Sequence, residues 1–125
     1  MSFATIAGVA EEARGGGSFD LCLREFLDGF RARPSQRSLD PEPRRLAGEV
    51  EGGAVFDAYL AATAEALATE FGLDTPAWTR RESRVLPRPW FALPWAGMRA
   101  VLLLESPAAF RSRNLFVSAN ALSRA

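Results

Sequence analysis

The chain has 125 residues, 48% of them hydrophobic, and its 15 basic and 15 acidic side chains cancel to zero net charge. It contains no histidine, no lysine and one cysteine, which excludes histidine-dependent nucleophilic catalysis, cysteine zinc clusters, Schiff-base enzymes and lysine-containing phosphate loops. We therefore expect a binding protein rather than an enzyme, with no cofactor and no metal. The length fits a single domain spanning residues 1–125.

Two amphipathic helices are predicted at the N-terminus. Apolar residues recur at helical spacing over Phe3–Arg14, with Ser2 as the N-cap, and again over 19–33, with Ser18 as the N-cap. Three glycines at 15–17 separate the two segments, and a proline follows the second. The pattern indicates a helical hairpin.

The middle of the chain combines a connection with the strongest helix signal. Residues 34–45 are polar and proline-rich and are predicted to link the hairpin to the rest of the chain. Asp40 is followed by proline, a combination typical of a helix start, so we expect a short helix from there toward Gly48. The alanine-rich segment Ala54–Phe71 predicts one long central helix, which ends at Gly72.

Short, irregular elements are predicted after that helix. Thr75-Pro76 favours a short helix containing Trp78, whereas 87–94 holds three prolines and cannot be the interior of a regular helix. A helix is expected to resume at Trp95 or Ala96 and to reach Glu105. Its apolar run, 100–104, is predicted to lie in the core.

The last segments alternate caps with apolar residues. Ser106, followed by proline, predicts a further helix that Asn114 closes. Residues 115–117 have strand character, and Ser118 is placed to cap a final short helix. The chain as a whole therefore predicts an all-α fold, a compact irregular bundle of about five to seven helices with an N-terminal helical hairpin and one long central helix.

Zero net charge conceals two opposed halves. Residues 1–75 carry 13 acidic side chains and 7 arginines, whereas 76–125 carry 8 arginines and 2 acidic side chains, which gives −6 and +6. Such asymmetry can pack one half against the other, or it can present a basic face to nucleic acid or to an acidic protein. Arginines that only solvate the surface or cap helix ends are the simplest explanation.

The candidate contact residues lie in the basic half, where guanidinium groups alternate with aromatic rings. Three interpretations are open: the aromatics fill the core beneath an irregular loop, they form a protein-binding hot spot, or they stack on nucleic-acid bases. The predicted partner-binding residues are Arg88, Trp90, Phe91, Trp95, Arg111 and Arg113.

Other motifs support simpler interpretations. The glycines at 15–17 could hold an anion at a helix start, but a plain interhelical turn explains them better. The first two helices do not suit a DNA-reading helix-turn-helix, because the second is too apolar and carries acidic residues. Paired carboxylates such as Glu11 and Glu12 lack partners at metal-ligand spacing, and Cys22 is expected to be buried.

One stretch resembles a known family. The segments 106–111, 113–114 and 116–117, preceded by 55–60, 76–78 and 89–91, read SPAAFR, RN, FV, VFDAYL, PAW and PWF. They resemble a family of small uncharacterised bacterial proteins, over roughly residues 46–118. Members are similar to proteins encoded beside nucleotidyltransferase-like toxins, sometimes fused to a helix-turn-helix that this chain does not show.

The resemblance implies an antitoxin-like or accessory role that acts by protein contact. We therefore expect a small cytoplasmic protein-interaction domain, with a toxin as one specific partner. The alternative is a nucleic-acid-binding accessory protein that uses the basic C-terminal half. A homodimer stays open, and no membrane partner is expected, because no apolar run reaches the length of a membrane span.

Overall fold

The described residues of the computed structural model, 3–92, 99–118 and 121–122, are mainly helical. Helix accounts for 57% of the structure and strand for about 4%, with six α-helices, which confirms the predicted all-α class. Within these residues no helix is both long and apolar enough to cross a membrane.

The N-terminal hairpin is confirmed. Helix α1 spans Ile6–Arg14 and helix α2 spans Phe19–Ala32, and the two pack against each other. Thr5 rather than Ser2 caps α1, since its hydroxyl accepts a hydrogen bond from the Gly8 amide at 3.3 Å. Ser18 caps α2 as predicted. The apolar stripes of both helices are buried, including Cys22, and burial raises the pKa of its thiol, with Glu12 and Glu25 adding to the rise.

The predicted helix after Asp40 is wrong. A four-residue helix, α3, lies earlier, at Gln36–Leu39, inside the segment that was predicted as a connection. Residues 42–46 have no regular structure, and Pro43 among them has no amide hydrogen to donate. The amides of Leu46 and Ala47 donate at 2.7 and 3.0 Å to the carboxylate of Asp57.

Helix α4, Gly53–Phe71, is the predicted central helix, and Gly72 ends it with a φ of +68°. Apolar clusters cover two of its sides. Leu60 and Leu67 pack with α1 and α2, whereas Ala58 and Ala62 pack with residues of the C-terminal part. Because both sides are covered, burial extends beyond the single apolar stripe that the periodicity indicated.

The C-terminal part is irregular, as predicted. Two 3₁₀ helices span Ala77–Arg80 and Glu82–Arg84, and helices α5 and α6 span Arg99–Glu105 and Ala108–Arg111. Strand β2, Leu115–Phe116, confirms the predicted strand character. It pairs in parallel with β1, Trp90–Phe91, which the sequence did not predict. The expected helix start at Trp95 or Ala96 lies outside the described residues, as does part of the helix expected after Ser118.

Ser106 and Asn114 were predicted to begin and end α6. Helix α6 ends at Arg111, earlier than predicted, and Asn114 has a φ of +64° in the turn that follows it. Ser106 does not cap α6. Its hydroxyl lies instead 2.6 Å from the Leu102 carbonyl oxygen and accepts a hydrogen bond from the Val117 amide at 2.8 Å. The buried hydroxyl thus joins α5 to the residue that directly follows β2.

The opposed charges of the two halves meet inside the fold. Arg84 is fully buried and lies 3.4 Å from Glu42 and 4.0 Å from Asp57. Arg113 is 4% exposed and donates to Glu65 at 2.7 Å. Each pair joins the basic half of the chain to the acidic half, so part of the charge asymmetry serves internal packing.

Candidate functional site

The segment that contains most of the predicted contact residues is fixed by backbone pairing. The amide of Trp90 donates to the carbonyl oxygen of Asn114 at 2.8 Å. The amide of Ala92 donates to the carbonyl oxygen of Phe116 at 2.9 Å. The side-chain amide of Asn114 donates to the Leu86 carbonyl oxygen at 2.6 Å. The proline-rich loop is therefore held against β2, and its aromatic residues have defined positions.

Trp90 and Phe91 point to different environments. Trp90 is 36% exposed, a high value for so large an apolar ring. Phe91 is half-buried and stacks on Phe116, with ring centroids 5.1 Å apart. The guanidinium carbon of Arg99 lies 5.1 Å from the centroid of the Phe91 ring, close enough for a cation–π contact. Arg88, two residues before Trp90, is exposed.

Helix α5 continues this surface with apolar side chains in contact with solvent. The run 100–104 was predicted to lie in the core, but only Leu102 is shown to be buried there, at 1% exposure. Val101, Leu103 and Leu104 are exposed by 39%, 45% and 84%. The prediction is wrong because α5 packs on β2 through the side that carries Leu102, and the three other side chains remain open to solvent. We call the following residues the β1–α5 surface: Arg88, Trp90, Phe91, Arg99, Val101, Leu103 and Leu104.

The structure separates the other predicted contact residues. Arg111 is exposed at the end of α6, and Trp95 lies outside the described residues. Arg113 does not belong to a contact surface, because its guanidinium is buried and donates to the carbonyl oxygens of Ala109 and Thr79 at 2.6 and 2.8 Å. Its role is therefore to hold the C-terminal segment on the fold.

A groove of about 450 Å³, which Trp90 also lines, opens between α2, α4 and the β1 segment. Its aromatic lining is continuous, since Phe19 and Phe56 stack with centroids 4.1 Å apart and Tyr59 meets Phe19 edge-on at 6.1 Å. Two charged residues of α2, Asp20 and Arg24, also line it. The described residues that line it are Phe19, Asp20, Leu23, Arg24, Leu27, Val55, Phe56, Tyr59, Trp90, Ala92 and Ala121.

Tyr59 offers a direct measurement of this environment, because it is the one tyrosine of the chain. Burial, with a further contribution from the Asp20 carboxylate, raises its pKa from 10.0 to about 12. An ultraviolet titration of tyrosinate should therefore have its midpoint near 12, and Asp20→Asn should lower that midpoint. Because the folded protein keeps its proton longer than the unfolded chain, the stability that Tyr59 contributes is complete below pH 10 and is lost as the pH rises through 12. A midpoint at the unfolded value would contradict the buried geometry.

Sequence reasoning missed the groove and the exposed side of α5. Phe19, Phe56 and Tyr59 all fall on helical stripes that periodicity assigns to the core. Nothing in their spacing shows that one edge of the cluster stays open. The charges at 20 and 24, one turn apart beside such a stripe, were the available signal.

No group of three or more metal-ligating side chains comes together among the described residues. Comparison with known proteins gives no match to a family model, to a curated protein or to a solved structure. The functional inference therefore depends on the surfaces of the molecule itself.

Proposed function

We propose that the protein is an interaction domain that binds another protein through the β1–α5 surface. The observation that carries the proposal is the 84% exposure of Leu104, flanked by two further exposed apolar residues of the same helix. Monomeric proteins rarely expose large contiguous apolar patches, and such patches mark interaction sites. Trp90 and the neighbouring arginines add the residue types that dominate binding energy at protein interfaces.

Charge indicates the kind of partner. Arg88, Arg99 and Arg111 are exposed and form no ion pair with any described residue, whereas the C-terminal half holds two acidic residues, Glu82 and Glu105. A partner that fits this surface presents apolar anchor side chains flanked by carboxylates. The antitoxin-like role that the family resemblance implies is one specific form of this proposal, in which the partner is a toxin.

Nucleic-acid binding through the basic half has less support. Of its arginines, Arg84 and Arg113 are buried, and Arg81 pairs with Glu42 at 3.1 Å. Each inward-facing guanidinium removes a contact that phosphate would need. The arginines of that half that stay exposed without an acidic partner, among the described residues, are Arg80, Arg88, Arg99 and Arg111.

Leu104→Asp tests the proposal. The variant places a carboxylate at the most exposed apolar position of the surface, so capture of a stoichiometric partner from the native host should fall at least about tenfold relative to the wild type. The side chain is almost fully exposed, and its loss therefore costs the fold little. Affinity capture followed by quantitative mass spectrometry measures the change.

Leu21→Asp is the matched control, because Leu21 is 58% exposed and lies on α2, outside both the β1–α5 surface and the groove lining. It should capture the partner as the wild type does. Equal loss in both variants, or no loss in either, would reject the surface. Recovery of nucleic acid with steep salt dependence would support the alternative instead, and a concentration-dependent dimer disrupted by Leu104→Asp would identify a second copy as the occupant.

A further inference from the structure

The groove beside Trp90 combines an apolar interior with room for one small molecule. Its volume of about 450 Å³ falls within the range of small-ligand sites, roughly 300–1,000 Å³. The stacked rings of Phe19 and Phe56 and the side chains of Leu23 and Leu27 provide the apolar lining. This lining suits a hydrocarbon or aromatic group.

Opposite charges occur together at this groove. Asp20 and Arg24 lie four residues apart on α2, the spacing and order that favour an ion pair along a helix. Neither forms an ion pair or a hydrogen bond with a described residue. Among the described residues, therefore, nothing competes with a molecule in the groove for this carboxylate and this guanidinium, which lie about one helical turn apart.

A third polar group lies close by. The hydroxyl of Tyr59 makes no hydrogen bond to the described residues, although its side chain lines the groove and is half-buried. The Asp20 carboxylate is near enough to influence the phenol electrostatically. Asp20 and Tyr59 thus supply a carboxylate and a phenol hydroxyl at the acidic end of the site, and Arg24 supplies the basic end.

We propose that this groove binds a free α-amino acid with a large apolar side chain. Its ammonium group would contact Asp20 and Tyr59, its carboxylate would contact Arg24, and its side chain would lie on the aromatic lining. A residue within a polypeptide chain lacks both of these charges, so the arrangement favours the free amino acid over an inserted protein side chain. The site is separate from the β1–α5 surface except for Trp90, which borders both.

L-Phenylalanine is the first probe, with 2-phenylethylamine and 3-phenylpropionate as analogues that each lack one charge. Titration monitored by NMR should show L-phenylalanine binding with a Kd of about 1 mM or lower, and each analogue at least about tenfold more weakly. N-acetyl-phenylalanine amide, which has neither charge, should bind weakest. Equal binding of this neutral compound would overturn the amino-acid assignment in favour of a protein side chain.

Variants separate the two charges. Asp20→Asn should weaken L-phenylalanine binding about tenfold while changing 3-phenylpropionate little, and Arg24→Gln should show the reverse pattern with 2-phenylethylamine as the unaffected ligand. The matched controls are Asp74→Asn and Arg33→Gln, exposed residues of the same charge outside the groove. No binding of L-phenylalanine or L-leucine by the wild type up to ~50 mM would refute the proposal. Leu104→Asp should leave amino-acid binding intact, so this test and that of the protein-binding surface fail independently.

Discussion

Arg84→Met is expected to lower the free energy of unfolding by about 3–5 kcal/mol, because it removes one member of a buried charge network. The Arg84 guanidinium donates to the carbonyl oxygens of Pro43 and Asp57 at 2.6 and 3.2 Å and lies 4.8 Å from the Trp78 ring. Methionine fills similar space but leaves both carbonyl oxygens without their donor, and the Asp57 carboxylate keeps only the more exposed Arg45, at 3.8 Å, as a cationic partner. Burial lowers the pKa of Arg84, and the charges of Asp57 and Glu42 oppose that effect.

Arg81→Met is the control for this prediction. Arg81 pairs with the same Glu42 at 3.1 Å, but its side chain is 60% exposed. Exposed pairs contribute about 0–1 kcal/mol, so the control should unfold at nearly the wild-type urea concentration. Equal losses in the two variants, measured by urea denaturation, would show that the buried network is not a major source of stability.

Gly53→Ala is expected to cost about 3 kcal/mol or more, or to prevent folding. A Cβ atom at Gly53 would lie 2.0 Å from the Leu46 carbonyl oxygen and 2.3 Å from its carbon. Both are backbone atoms, and the Leu46 amide is itself bound to Asp57 at 2.7 Å. The loop therefore cannot move away without breaking the contact that fixes it to α4.

Gly29→Ala, at another helical glycine, is expected to raise the free energy of unfolding rather than lower it. Gly29 lies inside α2, and a Cβ atom there would have no neighbour within 4 Å. Alanine has the higher helix propensity, so the variant should gain about 0.5–1 kcal/mol. Thermal or urea unfolding measures both variants. A Gly53→Ala protein as stable as the wild type would contradict the close packing of this loop on the helix.

Local sequence patterns predicted the helices that depend mainly on residues close together in the chain. The hairpin and α4 follow from apolar periodicity, serine capping and glycine stops. The helix expected after Asp40 failed because a distant side chain, that of Asp57, takes the amides that such a helix would need. The pairing of β1 with β2 also joins segments far apart in sequence, and no pattern within 87–94 could indicate its partner.

The contact surface was predicted only in part, for the same reason. Composition identified Trp90 and Arg88 as contact residues, and both are exposed. It also identified Arg113, but the guanidinium of Arg113 is buried and pairs with Glu65. Hydrophobicity assigned Leu104 to the core. Whether an apolar residue is covered depends on the neighbours of its helix, and these are set by the tertiary fold.

Amide hydrogen–deuterium exchange on the complex with the captured partner tests the protein-binding surface most directly. The proposal predicts that partner binding slows exchange in 88–91 and 99–105 relative to the free protein, and leaves α1 unchanged. Slowed exchange confined to the α1–α2 hairpin, with 99–105 unaffected, would contradict it.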